Sequence, residues 1–162
     1  MLSRLIRKLP NRWLVWMYVH FPGKGLKDWM VYRSQAKFLM AVLAVVTNEK
    51  GEILLLRHTY RKEPWGIPGG WMQYESPKRA LEREIYEETS FKVKALGEAI
   101  PIYAEKPHRI ELLYRARLIS GTFKPNEEIS ECRFCRFGEW PEGLPDSQIQ
   151  LIRIALGKHD HD

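Results

Sequence analysis

The chain has 162 residues, 44% of them hydrophobic and 28% charged, a size and balance that fit one soluble domain with a full apolar core. Its formal net charge of +6 favours polyanionic partners such as nucleotides, nucleic acid or acidic lipid, and much of the excess lies in the first third, where Asp28 is the first acidic residue. Two cysteines exclude a disulfide scaffold, and no apolar run approaches the ~20 residues of a membrane span.

The first nine residues, MLSRLIRKL, place Leu2, Leu5, Ile6 and Leu9 on one helical face, with Arg4, Arg7 and Lys8 elsewhere. This basic amphipathic helix is predicted to stop at Pro10. An apolar patch follows at Trp13–Tyr18, and Pro22-Gly23-Lys24-Gly25 is expected to break regular structure. Phe38–Thr47 reads as a buried strand, Asn48–Gly51 as a turn and Glu52–His58 as the return strand of a hairpin. Trp65–Pro68 is a short extended piece that leads into a Gly69-Gly70 turn.

Ser76-Pro77 opens a helix expected to reach Thr89, with serine at the cap and proline in the first turn. Strand-like pieces follow at Phe91–Lys94, Ile100–Ala104, Ile110–Leu118 and Ser130–Phe137, and a last helix at Ser147–Leu156. The tail GKHDHD is expected to fray. In the strand SECRFCRF, a separation of three puts Cys132 and Cys135 on opposite faces, as buried thiols rather than a metal or redox pair. That usage fits a reducing, cytoplasmic setting, and the absence of an obvious small-residue cleavage site argues against a secretory signal. Strands mixed with few helices predict an α+β fold, helices packed on a mixed sheet. The expected organisation is an N-terminal helical extension at 1–35, a domain at 36–157 and a tail at 158–162.

The segment GGWMQYESPKRALEREIYEETSF carries the chemistry. Leu81 and Ile85 mark the core side of its helix, Glu84 and Glu88 fall on the shoulder of that stripe, and Glu87 sits further round. Carboxylates at i, i+3 and i+4 repel, each pair costing a helix roughly 0.2–0.5 kcal/mol, and more where the shoulder is desolvated. Arg83 can pair with Glu87 at i+4 but cannot neutralise all three. A hard dication with oxygen ligands removes the conflict. Glu75 can reach Arg83 across the loop, and Gly69-Gly70 lets the backbone pass close to a metal or phosphate.

This stretch resembles the Nudix box, G-x5-E-x7-R-E-U-x-E-E-x-G-U, with U a bulky apolar residue: Gly69, Glu75, Arg83, Glu84, Ile85, Glu87, Glu88 and Phe91 match. One departure is Ser90, which stands where the family has a helix-ending glycine. The resemblance covers roughly Ala36 to Leu156 and implies the Nudix fold, a mixed sheet packed between helices. It implies hydrolysis of a phosphoanhydride bond in a nucleoside diphosphate linked to another moiety, with Mg²⁺ or Mn²⁺ as cofactor. Glu84, Glu87 and Glu88 are the implied metal ligands, with the Gly69 carbonyl as a further one. Glu84 or Glu88 would lie nearest the attacking water, and Arg83 and Glu75 would form a supporting pair.

Glu128, then Glu127, is the candidate late general base. Arg57, Arg61 and Lys62 are candidates for phosphates, and Trp65 for a base or for packing. Gly70 and Glu75 complete the candidate substrate-binding set, and Lys106, His108 and Arg109 form a second basic group at a hairpin turn. The competing reading is a nucleotide-sensing or protein-binding module of the same fold without turnover. An RNA-directed enzyme is weaker, because no aromatic-rich RNA platform is evident. For the basic extension three roles stay open: a helix docked on the domain or in a homodimer interface, a membrane-surface contact, or a cleaved targeting segment.

Overall fold

The structure is a computed structural model that describes residues 11–20 and 23–158. The predicted helix over residues 2–9 and all but the first two residues of the tail lie outside them. The chain forms two compact units, residues 1–37 and residues 38–162.

In the first unit, α1 covers Asn11–His20 and α2 covers Lys24–Ser34. α1 ends at His20 and α2 begins at Lys24, so the expected break separates two helices, but it is shorter than expected because Lys24 and Gly25 are already helical. Gly23, at φ 104°, occupies the N-cap position, so the glycine starts a helix instead of ending one.

The second unit is built on a seven-stranded mixed sheet. Its strands are β1 (Leu39–Thr47), β2 (Ile53–His58), β3 (Trp65–Gly66), β4 (Gly69–Trp71), β5 (Lys92–Ala104), β6 (Arg109–Ser120) and β7 (Ile129–Cys135). Helix α3 (Pro77–Thr89) and helix α4 (Asp146–Leu156) complete it. The predicted hairpin of β1 and β2 is present, but its strands pair only where Thr47 faces Ile53, next to the Asn48 turn. Beyond that corner they splay. β1 runs parallel to β6 from Leu39 to Thr47 and antiparallel to β4 at Ala41–Leu43, while β2 pairs with β3 and β7.

Both faces of the sheet are covered, which explains the unbroken apolar runs of β1 and β2. On one face Val42, Ala44, Val46, Leu54 and Leu56 pack with Ala80, Leu81 and Ile85 of α3. On the other, Val45, Ile53 and Leu55 pack with Trp65, Ile67 and with Ile152 of α4. Cys132 joins the first cluster and Cys135 the second, both as free thiols, as the strand periodicity requires. The two pieces read as Phe91–Lys94 and Ile100–Ala104 are one strand, interrupted by a register shift between Leu96 and Ile100 where Gly97 takes φ 62°. Ser90 adopts the left-handed conformation usually given to glycine (φ 63°, ψ 14°), so the departure from the box keeps the helix end. Thr89 supports that end: its hydroxyl donates to the Ile85 carbonyl at 2.5 Å and accepts from the Phe91 N–H at 3.0 Å.

His58 ends β2 at 3% exposure, and neither ring nitrogen has a hydrogen-bond partner among the described residues. Burial, then the nearby Arg61 charge, lowers its pKa from 6.5 to about 4. The folded state therefore binds fewer protons than the unfolded one between those values. The contribution of this group is fully present above pH 6.5 and is lost as pH falls toward 4, a change on the order of 2–3 kcal/mol. His58→Leu is expected to flatten that acid limb and to raise stability at neutral pH by about 1–2 kcal/mol, read from denaturant melts over a pH series.

Candidate active site

Two carboxylates of helix α3 and one from the loop before it close on Arg83. The Arg83 Nε and Nη2 donate to Glu75 Oε1 at 2.9 and 2.7 Å, and Nη2 also reaches the Trp71 carbonyl at 3.3 Å. Its Nη1 donates to Glu84 Oε1 at 2.7 Å and Glu87 Oε2 at 3.1 Å. One guanidinium thus ties the loop before α3 to the helix itself, a task for which a lysine lacks the planar fork. The bond to Glu75 is the main cause of its pKa being raised, against a desolvation cost.

Glu88 is placed differently. Its carboxylate is buried, and Oε2 accepts from the Gly69 N–H at 3.1 Å. Burial pushes its pKa from 4.5 to about 8; the Gly69 bond and Arg61 oppose the shift, and Glu84 and Glu128 add to it. Gly69 and Gly70 form β4 rather than the predicted turn, because their backbone pairs with Leu43 and Val42 of β1. That pairing brings Gly70 so close that a side chain there would overlap the Glu84 carboxylate.

These groups open on a cleft of about 530 Å³ where β1 and β2 splay apart, a size suited to a small ligand. Gly69, Gly70, Glu84 and Glu88 form one wall; Tyr60, Arg61 and Glu128 form another; Trp71, Arg109 and Glu111 complete it with Ala41 and Leu43. Of the residues singled out from sequence, Gly69, Gly70, Glu84, Glu88, Arg61, Arg109 and Glu128 therefore meet in the cleft.

Others are elsewhere. Glu87 is 57% exposed on its side chain and held by Arg83, outside the cleft lining. Glu75 is spent on Arg83 rather than facing the cleft. Trp65 is 4% exposed within the α4-side core, with the Arg133 guanidinium 5.0 Å from its ring, so it packs and offers no open face to a base. Arg57 is exposed on β2 beside Trp65 and does not line the cleft. Lys62 is exposed and also away from the lining. Glu127 turns its carbonyl to the Thr59 hydroxyl at 2.7 Å and is not part of the lining. In the β5–β6 turn, Lys106 and His108 are exposed, the latter bonded to the Tyr103 hydroxyl at 2.6 Å.

Sequence reasoning missed Asn126, Glu111 and Trp71, the last of which lines the cleft. Asn126 Nδ2 donates to the carbonyls of Glu87 and Glu88 at 3.2 and 3.1 Å, and its Oδ1 accepts from the N–H groups of Glu128 and Ile129 at 2.9 and 2.7 Å. It closes the end of α3 and fixes the loop that carries Glu128. Asn126→Ala is expected to cost about 1–2 kcal/mol of stability and to lower kcat by roughly tenfold or more through Glu128, with dication affinity nearly unchanged by calorimetry. Glu111 sits at an inward register position of β6, two residues before buried Leu113, and accepts from Arg109 Nε at 2.6 Å. A charge on the apolar face of a strand was its only signal.

Among the described residues, no three His, Cys, Asp or Glu side chains converge as a ready metal cage, since Arg83 takes Glu84 and Glu87 together. The donor set of the cleft nevertheless suits a hard dication. It holds four carboxylates, of Glu84, Glu88, Glu111 and Glu128, against the guanidiniums of Arg61 and Arg109. A phosphate ligand meets repulsion there unless cations join it, and Glu88, buried with one backbone donor, gains most from one.

A mixed sheet between two helices, with a carboxylate helix packed against a glycine strand at the wall of a ligand-sized cleft, is the scaffold of an enzyme. The chain belongs to the NUDIX family of MutT-like hydrolases: the family model described as "NUDIX domain" matches residues 37–153. A MutT-like protein of Streptomyces ambofaciens is 26% identical over 117 residues, 71% of this chain and 73% of that protein. A human diphosphoinositol polyphosphate phosphohydrolase is 32% identical over 83 residues, 51% of this chain and 45% of that protein, so the match spans less than half of its length. Among solved structures, a UDP-X diphosphatase superposes with a TM-score of 0.64 at 20% identity, over 91% of this chain and 94% of that one. An ADP-ribose pyrophosphatase from Streptococcus suis gives 0.61 at 24% identity, over 77% and 96%. These likenesses establish the fold.

Proposed function

We propose that the protein hydrolyses a phosphoanhydride bond in a nucleoside diphosphate linked to another moiety, in a cytoplasmic setting, with Mg²⁺ or Mn²⁺ as cofactor. The observation that carries this reading is the buried Glu88 carboxylate, bonded to Gly69 and lining one cleft with Glu84 and Glu128. Glu84, Glu88 and the Gly69 carbonyl would hold the dication, joined by Glu87 where Arg83 releases it. When bound, the dication would offset the charge of phosphate oxygens and make a nearby water easier to deprotonate.

The chain's own groups supply the rest. Arg61 binds a phosphate oxygen, and Trp71, 52% exposed at the rim, offers a ring face to the base. Glu128 takes the proton from the attacking water as its oxygen bonds to phosphorus and the bridging P–O bond breaks. Arg83 and Glu75 act on none of these atoms; they keep Glu84 and the loop in register.

The rival reading, a binding module without turnover, draws on Arg83's hold on both Glu84 and Glu87. One experiment separates them. The pure full chain is assayed with Mg²⁺, Mn²⁺ or chelator against ADP-ribose, UDP-sugars, dinucleoside polyphosphates, diphosphoinositol polyphosphates, CDP-alcohols and nucleoside triphosphates. Turnover of at least one compound, abolished by chelator, supports the hydrolase. Saturable nucleotide binding with no product in any metal assigns the module.

A further inference from the structure

The charge of this protein is divided with unusual sharpness. Residues 1–37 hold eight of the 26 lysines and arginines but only one of the 20 acidic residues, a net +7 that leaves residues 38–162 at −1. The same stretch carries three of the six tryptophans, Trp13, Trp16 and Trp29, each about half exposed.

On α1, Arg12, Trp13, Val15, Trp16, Val19 and His20 are all exposed. At about 100° per residue they fall in one arc of the helix. Trp13 and Trp16 meet edge to face at 6.4 Å, and Trp16 stacks on His20 at 4.9 Å, so three rings run together along one side of the arc and the two valines along the other. On α2, Trp29 and Tyr32 are exposed three residues apart, on one side of the helix, and the Lys37 ammonium lies 3.9 Å from the Tyr32 ring. No described helix is long and apolar enough to cross a membrane.

We propose that residues 1–37 seat the protein on an anionic lipid surface, with Trp13, Val15, Trp16 and Val19 at the boundary of headgroups and acyl chains and Arg12, Lys24 and Arg33 against lipid phosphates. Exposed tryptophan with flanking cations is the chemistry of an interfacial helix. Two alternatives fit less well. A second copy docked through this unit would set +7 against +7. Single-stranded nucleic acid would meet the cations and rings, but Val15 and Val19 offer it nothing, whereas a bilayer takes up aliphatic surface.

The test is co-sedimentation of the full chain with vesicles of phosphatidylcholine, with and without phosphatidylglycerol, at low and high salt. Binding is expected only with the anionic lipid and is expected to weaken as salt rises. Arg12→Gln and Arg33→Gln should each weaken it roughly fivefold. Trp13→Ser with Trp16→Ser should weaken it about tenfold or more while turnover of a soluble nucleotide stays at the parent level. The proposal is overturned by no sedimentation with anionic vesicles at low salt, by tryptophan variants that bind as tightly as the parent, or by capture of an RNA oligomer without capture of vesicles.

Discussion

Glu88→Gln is expected to lower turnover by about a thousandfold while leaving the metal-free protein at least as stable as the parent. Glutamine keeps the acceptor for the Gly69 N–H and the volume of a buried site, so the fold has no reason to yield. What disappears is the carboxylate charge that suits a dication. The direction of the pKa shift sets the stability effect. Glu88 titrates at about 8 in the fold and near 4.5 when unfolded, so the folded state binds the extra proton between those values. Its contribution is fully present below pH 4.5 and is lost as pH rises through 8, amounting to on the order of 3 kcal/mol by neutral pH. Glutamine has no such slope. In chelator, the variant should therefore match the parent in acid and melt higher near pH 8. Glu84→Gln should also lose turnover, but without that gain, because Glu84 is partly solvated and gives up an ion pair to Arg83 at 2.7 Å. Turnover of either variant within tenfold of the parent would remove the substituted residue from the reaction.

The parts of this site that were legible in the sequence are those fixed by local spacing. The carboxylates of α3, the Glu75–Arg83 separation and the glycine pair lie within 20 residues of one another, where helical periodicity determines which side chains are neighbours. Even there the spacing left one thing open: Glu87 and Glu84 are both in reach of Arg83, and only the packed loop shows that one guanidinium holds both with Glu75. Trp65 was ambiguous because a tryptophan in a short extended piece can stack or pack; contact with α4, more than 80 residues later, decides it. Glu111 and Asn126 enter the site through parallel pairing of β6 with β1 and through a loop folded back on α3, long-range contacts that no window of sequence contains. The break at Gly23 was legible but its length was not: at φ 104° the glycine is the N-cap of α2, so the chain is helical from Lys24 rather than only after Gly25.

The adjacent glycines of β4 should respond to the same substitution in opposite ways. At Gly69, φ is 152°, and an added Cβ would overlap the Val42 carbonyl oxygen and come within 2.8 Å of Leu43 Cα. Both obstacles are backbone of the central strand β1, held between β4 and β6, and neither can move without breaking the sheet. Gly69→Ala is therefore expected to cost about 3–5 kcal/mol, a fall of roughly 10 °C in Tm. At Gly70 no such φ applies, and the atoms nearest an added Cβ belong to the Glu84 side chain, its carboxylate first. A flexible side chain can swing aside, so Gly70→Ala should melt within a few degrees of the parent yet lose about a hundredfold in turnover, because the displaced group is one the reaction needs. The pair of melts and the pair of rates together test whether β4 serves the fold through its first residue and the chemistry through its second. A Gly69→Ala protein that melts with the parent would mean that β1 can give way, and the close backbone approach that presents the Gly69 N–H to Glu88 would lose its physical basis.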